Sequence, residues 1–478
     1  SLDDPEVYKL IGSGETTGVF QLESGGMRRL AKDLKPTKFT DISAMVALFR
    51  PGPMEWIPDF IAAKENPVKI KYLHPDLKPI LAESYGIAVY QEQCMMIANS
   101  LAGYSMAEAD KLRMAIGKKK PELMKKEKEK FITGCVKNLY SHTTAENIWG
   151  LIEKFVGYGF NKAHSASYAL IAYQTAFMKA KYPVEFMTAV LAAESRATTG
   201  PARDDKMSQA VEECRRMKIK LLPPDINKSD VEFTIENDMI RFGLSAIKNV
   251  GTAAIDSILA AREKEGEFKT IYDFVARVDL QKVNIKTLES MIKAGAMDKF
   301  GKRSAMLVAS PDIMENAHKE RDKKESGQVG LFDDSDEGNT FHSLPEIEEL
   351  TRDELLKFEK ELLGFYLTEH PLTRLITDLA KKVSHRIYEL TPSTRPIVTG
   401  GIVTQVKKIV TRAGNNEMAF VRINDLTGEV ELIVFPKVYA KTRDLWVNDR
   451  IILVKGMARE KEDRMTVIVD DAKIYQKT

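Results

Sequence analysis

The stretch "GYGFNKAHSASYALIAYQ" (residues 157–174) decides how the first half of the chain is read. Gly157 and Gly159 loosen the backbone. Asn161, Lys162, His164, Ser165 and Ser167 then crowd the start of a segment whose apolar residues recur at spacings of three and four, the period of an amphipathic helix. Backbone N–H groups and the helix dipole make such a start suitable for an anion, and Lys162 and His164 add to that. A lone histidine at a helix start is more often a cap or a core residue. The density of polar groups around His164 favours a binding role.

Two further stretches share the helical period, "SMAEADKLRMAIG" (105–117) and "TTAENIWGLIEKFV" (143–156). Ser105, with Glu108 three residues on, has the pattern of a capping box, and Thr144 stands where a second N-cap is wanted. "PGPMEWIP" (51–58) reads as a rigid non-helical connector. Residues 1 to about 225 are therefore expected to be mainly helical.

Between the first two of these helices lies a basic run. Arg113 and the triplet Lys118, Lys119 and Lys120 fall near one helix end, and lysine point charges and an arginine fork both suit phosphate. Lysine-rich helix faces are ordinarily only solvated. Lys125, Lys126, Lys128 and Lys130, alternating with Glu127 and Glu129, are read that way. The compact triplet is the part that charge alone leaves open.

Residues 226–300 contain two similar units, "FGLSAIKNVGTAAIDSILAARE" (242–263) and "VNIKTLESMIKAGAMDKFG" (283–301). In each a helical stretch reaches a turn with a glycine, the pattern of a tandem helix-hairpin-helix region. Lys248, Asn249 and Gly251 at the first turn, with Lys293 and Gly295 at the second, are the candidate contacts to DNA phosphates. A plain helical packing module is the competing reading of either unit alone. Residues 318–345 are polar and rich in Gly, Ser and Asp, a linker. Within it "QVGLF" carries Gln328, Leu331 and Phe332, an exposed apolar pair suited to docking as a peptide, or to folding back on its own domain. Residues 346–394 are expected to return to helix.

From residue 395 the period changes to two. "MAFVRINDLTGEVELIVF" (418–435) reads as two strands around "DLTG", and residues 449–475 as two more around "REKED". With residues 395–411 this makes about five strands, the number of an OB-type barrel. This region holds 15 Lys and Arg against 11 Asp and Glu. Phe420, Phe435, Tyr439 and Trp446 are suited to base stacking, and at least half of them are expected in the barrel interior. The fold class is thus multidomain: mainly α, with a tandem helix-hairpin-helix region, followed by a β-barrel of OB type.

Of the 478 residues 44% are hydrophobic and the net charge is only +2, so any basic surface is local. Cys94, Cys135 and Cys214 are far apart and unpaired by any CxxC spacing, which fits a reducing, cytoplasmic setting. No apolar run reaches the ~18 residues of a membrane span. Asp470 and Asp471 lack a third carboxylate partner, and no HxH cluster or phosphate loop of the GxxxxGK[ST] type is present. The chain begins "SLDDPEVYKL", without Met, and reads as a fragment or a split half.

Seven segments, in order, resemble one family. They are "GVFQLESGGMRRL" (18–30), "ALFRPGPM" (47–54), "YGIAVYQEQCM" (85–95), "ADKLRMAIGKKKPE" (109–122), "YGFNKAHSASYALIAYQT" (158–175), "LLPPDIN" (221–227) and "LLGFYLTEHPL" (362–372). The family is the α subunit of bacterial DNA polymerase III, the C-family replicative polymerase. The resemblance implies fingers over residues 1–225, the tandem helix-hairpin-helix domain over 226–317, a linker with a sliding-clamp motif over 318–345, a helical connector over 346–394 and an OB domain over 395–478. Arg113 matches a fingers arginine that contacts the incoming nucleoside triphosphate, and Lys162 and His164 match the segment lining that pocket. "QVGLF" is similar to the family's internal clamp motif. Met114 departs from the pattern, since the family usually has a second basic residue there.

The resemblance also implies template-directed DNA synthesis with Mg2+ held by palm aspartates that lie outside this chain. Primer–template DNA, a deoxynucleoside triphosphate, the sliding clamp, other replisome subunits and an N-terminal polymerase part are the implied partners. The chain alone is then expected to be inactive. The competing expectation is a non-catalytic protein that binds DNA and tethers the clamp.

Overall fold

A computed structural model describes residues 1–118, 121–155, 159–197, 201–326, 343–368, 378–410, 416–425, 428–448, 450–461 and 464–475. They form two compact units. The first comprises Ser1–Thr198, Gln209–Leu221 and Phe233–Ile240, and the second Thr199–Ser208, Leu222–Glu232 and Arg241–Thr478.

The first unit is built of helices: α1 (Pro5–Ser13), α2 (Gly25–Leu34), α3 (Phe39–Leu48), α4 (Ile57–Glu65), the single turn α5 (Lys78–Leu81), α6 (Gln91–Ala102), α7 (Met106–Lys118), α8 (Pro121–Lys137), α9 (His142–Phe155), α10 (Lys162–Lys181) and α11 (Pro183–Ala197). Local chemistry sets their starts. Ser105 Oγ accepts from Glu108 N, and the Glu108 carboxylate accepts from Ser105 N at 2.8 Å, the expected capping box. The hydrogen bond from Lys130 is the first cause of the lowered pKa of Glu108, brought down to about 2, so this lysine belongs to a solvated ion-paired face. At α9 the cap is Ser141, whose Oγ accepts from Thr144 N at 3.1 Å; Thr144 therefore sits inside the first turn rather than capping it. "PGPMEWIP" also corrects its expectation. Pro53 and Pro58 fall in the first turns of a 3₁₀ helix (Pro53–Trp56) and of α4, where a missing N–H costs nothing.

Two apolar cores fill this unit. One gathers Ile11, Leu22, Ile42, Met45 and Phe60 with Ala169, Ala172 and Tyr173, so α10 is seated against α3 and α1. The other joins α6, α7, α8 and α9 around Leu101, Leu112, Phe131, Trp149 and Ile152.

A short sheet with strand order β1-β3-β2 follows α12 (Pro201–Arg216) in sequence: β1 (Leu221–Leu222), β2 (Thr234–Glu236) and β3 (Met239–Arg241). Asn237 and Asp238 turn the β2–β3 hairpin with positive φ, residue types that tolerate the left-handed region.

In the second unit α13 (Thr252–Glu265), α14 (Ile271–Arg277), α15 (Ile285–Lys293), α16 (Arg303–Ser326) and α17 (Arg352–Leu363) make the helical part. Among the described residues of 346–394 the expected return to helix is seen mainly in α17. The barrel is closed and has the expected five strands: β4 (Ile397–Val410), β5 (Glu417–Asn424), β6 (Glu429–Val434), β7 (Ile451–Lys461) and β8 (Arg464–Ile474), in the order β4-β5-β6-β8-β7, with β7 returning to β4. Only β6 and β8 run parallel. The helix α18 (Pro436–Thr442) follows β6. Tyr439 and Trp446 are buried in the barrel core, whereas Phe435 is 45% exposed and Phe420 half-buried, as the count of interior aromatics anticipated.

Candidate functional site

The start of α10 is fixed by three layers of bonds. Phe160 is bridged to the strand-like residues before α6: its N–H donates to Val89 O at 3.2 Å, and Gln91 N–H donates to Phe160 O at 2.9 Å. Asn161 caps the helix, its Oδ1 accepting from His164 N at 2.8 Å. Beneath, a buried chain of hydroxyls joins three helices. Tyr90 OH donates to Ser43 Oγ at 3.0 Å, Ser43 and Ser165 lie 2.9 Å apart, and Ser165 Oγ donates to Lys162 O at 3.0 Å. Burial above all pushes the Tyr90 phenol up to about 12, so it is a permanent donor.

Two carboxylates complete the site. Glu92 accepts from Asn161 Nδ2 and from Lys162 N, both at 3.0 Å. Glu83 takes the Lys162 ammonium with both oxygens, at 2.6 and 2.8 Å. The N–H groups of Lys162 and His164 are thus already accepted, which differs from the open helix start expected from the sequence. What faces solvent is side chains: the exposed His164 ring, the Lys162 ammonium and, over the face of the Phe160 ring at 4.7 Å, the Arg50 guanidinium. Arg50 Nε also donates to Ala47 O at 2.9 Å, and burial lowers its pKa below the usual value.

The other expected cations are placed apart from these. Arg113 lies on α7, its Nε donating to Asp110 Oδ1 at 2.8 Å, and Met114 beside it is 42% exposed. α7 packs on α6 and α8, whereas α10 packs on α3, α1 and α11. Lys118 ends α7; Lys119 and Lys120 lie outside the described residues, as do Gln328, Leu331 and Phe332.

The two hairpins differ from one another. In the first, a single 3₁₀ turn (Leu244–Ala246) replaces the leading helix, and the left-handed residue of the turn is Asn249 (φ 68°), not Gly251, which caps α13 at φ −83°. Asn tolerates that region through its short polar side chain. Asn249 is tied to α15 by Nδ2 donating to Ser290 Oγ at 3.2 Å and by its carbonyl accepting from Thr287 Oγ1. Lys248 pairs with Asp204 at 3.0 Å. The second hairpin, α15–α16, has Gly295 in the left-handed region (φ 86°), and a Cβ there would lie 2.3 Å from the Arg303 guanidinium. Lys293 pairs with Glu289 at 3.2 Å. Glu349 accepts from the first two N–H groups of α16, Arg303 N at 2.8 Å and Ser304 N at 3.0 Å. The N-terminus of α13 has no side-chain cap. Among the described residues no group of three or more His, Cys, Asp or Glu is placed to hold a metal ion, so these residues do not fit a magnesium site. No helix among them is long and apolar enough to cross a membrane.

Three family models match the chain: "Bacterial DNA polymerase III alpha subunit finger domain" over residues 1–139, "Helix-hairpin-helix motif" over 218–307 and "OB-fold nucleic acid binding domain" over 397–475. Together they place the chain in a class that joins polymerase fingers to two nucleic-acid-binding modules. The chain is 41% identical to a DNA polymerase III subunit alpha of Bacillus subtilis, over 100% of this chain and 42% of that protein. It is 40% identical to that of Pseudomonas aeruginosa, over 95% and 40% of the two lengths, and 41% identical to that of Thermus aquaticus, over 97% and 38%. The chain is homologous over nearly its full length to bacterial DNA polymerase III α subunits, and spans about two fifths of the length of the curated relatives it matches.

Proposed function

We propose that this chain is the part of a replicative DNA polymerase that receives the incoming deoxynucleoside triphosphate, grips duplex product and attaches to the sliding clamp. The observation that carries the reading is the set of side chains at the start of α10: Lys162 held by Glu83, and Arg50 over the Phe160 ring, which in turn lies beside His164. Lys162 is held in reserve. Its pair with Glu83 is partly exposed, 42% and 31% at the two side chains, and such pairs contribute only about 0–1 kcal/mol. A triphosphate oxygen can therefore displace the carboxylate and take a charge-assisted bond from the ammonium. Arg113 of α7 and the triplet Lys118–Lys120 are further candidates for contact with the triphosphate.

Within this reading residues 1–225 act as fingers, the two hairpins of 226–317 hold phosphates of the duplex, "QVGLF" docks on the clamp, residues 346–394 connect, and the barrel of 395–478 lies along single-stranded template. The primer 3′-hydroxyl attacks the α-phosphate and pyrophosphate leaves. Two-metal phosphoryl transfer would need magnesium held by carboxylates that this reading places outside this chain, where it would neutralise the developing charge. The partners are primer–template DNA, the nucleotide, the clamp, other replisome subunits and the N-terminal part of the polymerase.

Steady-state kinetics with the chain completed by that N-terminal part test the nucleotide reading. Reversing the charge of Lys118, Lys119 and Lys120 should raise the nucleotide KM or lower kcat, by roughly 10–100-fold for charged contacts worth about 1.5–3 kcal/mol. Unchanged nucleotide kinetics would return the triplet to a solvated surface.

A further inference from the structure

Four rings form a continuous ladder along the exposed side of α10. Phe160 and His164 have centroids 5.4 Å apart, His164 and Tyr168 4.4 Å, and Tyr168 and Phe20 5.3 Å, with interplanar angles of 55°, 41° and 49°. The spacing of four along 160, 164 and 168 puts these residues on one face. Phe20 arrives from a separate loop and is held outward by construction. Its neighbours Val19 and Leu22 are fully buried, Gln21 turns with φ 64°, and Phe20 N–H donates to Thr175 Oγ1 at 3.1 Å, which leaves the ring 37% exposed.

The ladder also has a direction. Arg50 covers its Phe160 end, and the Lys162 ammonium projects from the same end, 5.7 Å from the Tyr90 centroid. The opposite end is the partly exposed Phe20 ring. A nucleotide has the same polarity, anionic at the phosphates and flat, weakly polar at the base, and bases stack on aromatic faces whatever their identity. Resting on the nucleotide reading above, we propose that the base of the incoming nucleotide stacks on Tyr168 and Phe20 while its phosphates reach Lys162 and Arg50.

The test is a fluorescence titration of the full 478-residue chain with 2-aminopurine deoxyriboside triphosphate, whose emission falls when the base stacks. The wild-type chain should quench it. Tyr168→Ala should abolish the quenching and weaken the nucleotide about tenfold, Phe20→Ala should act in the same direction, and Tyr168→Phe should restore both. Inorganic triphosphate should bind wild type and Tyr168→Ala alike, to within about twofold, because the phosphate end is intact. Unchanged quenching in Tyr168→Ala and Phe20→Ala would overturn the proposal and leave the rings as packing for the loop. So would quenching that requires Tyr168 only when 2-aminopurine sits in a single-stranded oligonucleotide, which would assign the ladder to template. Binding of inorganic triphosphate without any base quenching removes this proposal alone. Failure of the wild-type chain to bind either compound removes it together with the reading beneath it.

Discussion

Replacing Lys179 with Met is expected to destabilise the first unit by up to about 3–5 kcal/mol, the cost of removing one partner from a buried ion pair. The side chain of Lys179 is fully buried. Its ammonium donates to Glu15 O and Thr17 O at 2.8 Å each and to Glu213 Oε1 at 2.5 Å, so all three of its protons are placed. Glu213 is also bonded by Arg216, which pairs in turn with Glu15. The substitution removes one of the two cations held by the buried carboxylate, which keeps only Arg216, and leaves two carbonyls without donors. Urea unfolding reads the loss as a lower midpoint, and a shift below about 1 kcal/mol would contradict the buried-pair account. The double substitution Lys179→Met with Glu213→Leu should recover most of the stability, since an apolar replacement of a whole buried pair is often neutral.

The pair also predicts an acid dependence. Burial alone would raise the Glu213 pKa, but the Arg216 hydrogen bond and the Lys179 charge outweigh it and bring the carboxyl below its ordinary 4.5. A carboxyl whose folded pKa is depressed adds stability above its unfolded pKa and loses that contribution as pH falls through the folded value. Lys179 is shifted downward by burial, which gives no slope in acid because it is protonated in both states there. Stability should therefore decline below about pH 4.5, and Glu213→Gln should flatten that decline.

Lys162→Ala in the completed enzyme is the second large effect, a loss of about 10–100-fold in kcat/KM for the incoming nucleotide from removal of one charged hydrogen bond. The loss should weaken with rising salt, because the bond lies at a partly exposed site. Lys162→Arg should recover part of it. The substitution should leave unfolding nearly unchanged, since the Glu83 pair it breaks is partly exposed. Equal nucleotide kinetics in wild type and Lys162→Ala would take Lys162 out of the site.

Periodicity made the helices and the barrel legible before any coordinates. The three- and four-residue spacing of α10, the Ser105–Glu108 cap and the alternation of β5 and β6 around "DLTG" are local signals, written within a few residues of each other. The partners of the functional side chains were not legible. Lys162 meets Glu83 from 79 positions away, and Lys179 meets Glu213 across 34. A lysine late in a helix reads as exposed in any sequence pattern, and only packing buries Lys179. Arg50 and Phe20 went unnoticed for the same reason, since the ring each one meets lies on a remote segment. The first hairpin misled because the glycine drew attention while Asn249 made the turn. Glu349 at the start of α16 lies beyond a linker, where no spacing rule reaches.

Primer extension tests the central claim most directly. The 478-residue chain, a protein supplying the palm and other N-terminal parts of the polymerase, and their mixture are each given primed template and deoxynucleoside triphosphates in magnesium buffer. Template-directed extension should appear only in the mixture, with the chain alone and the N-terminal part alone both inactive. Extension by the chain alone, or DNA and clamp binding by the mixture without any synthesis, would contradict the account, and the second result would establish a non-catalytic tether in its place.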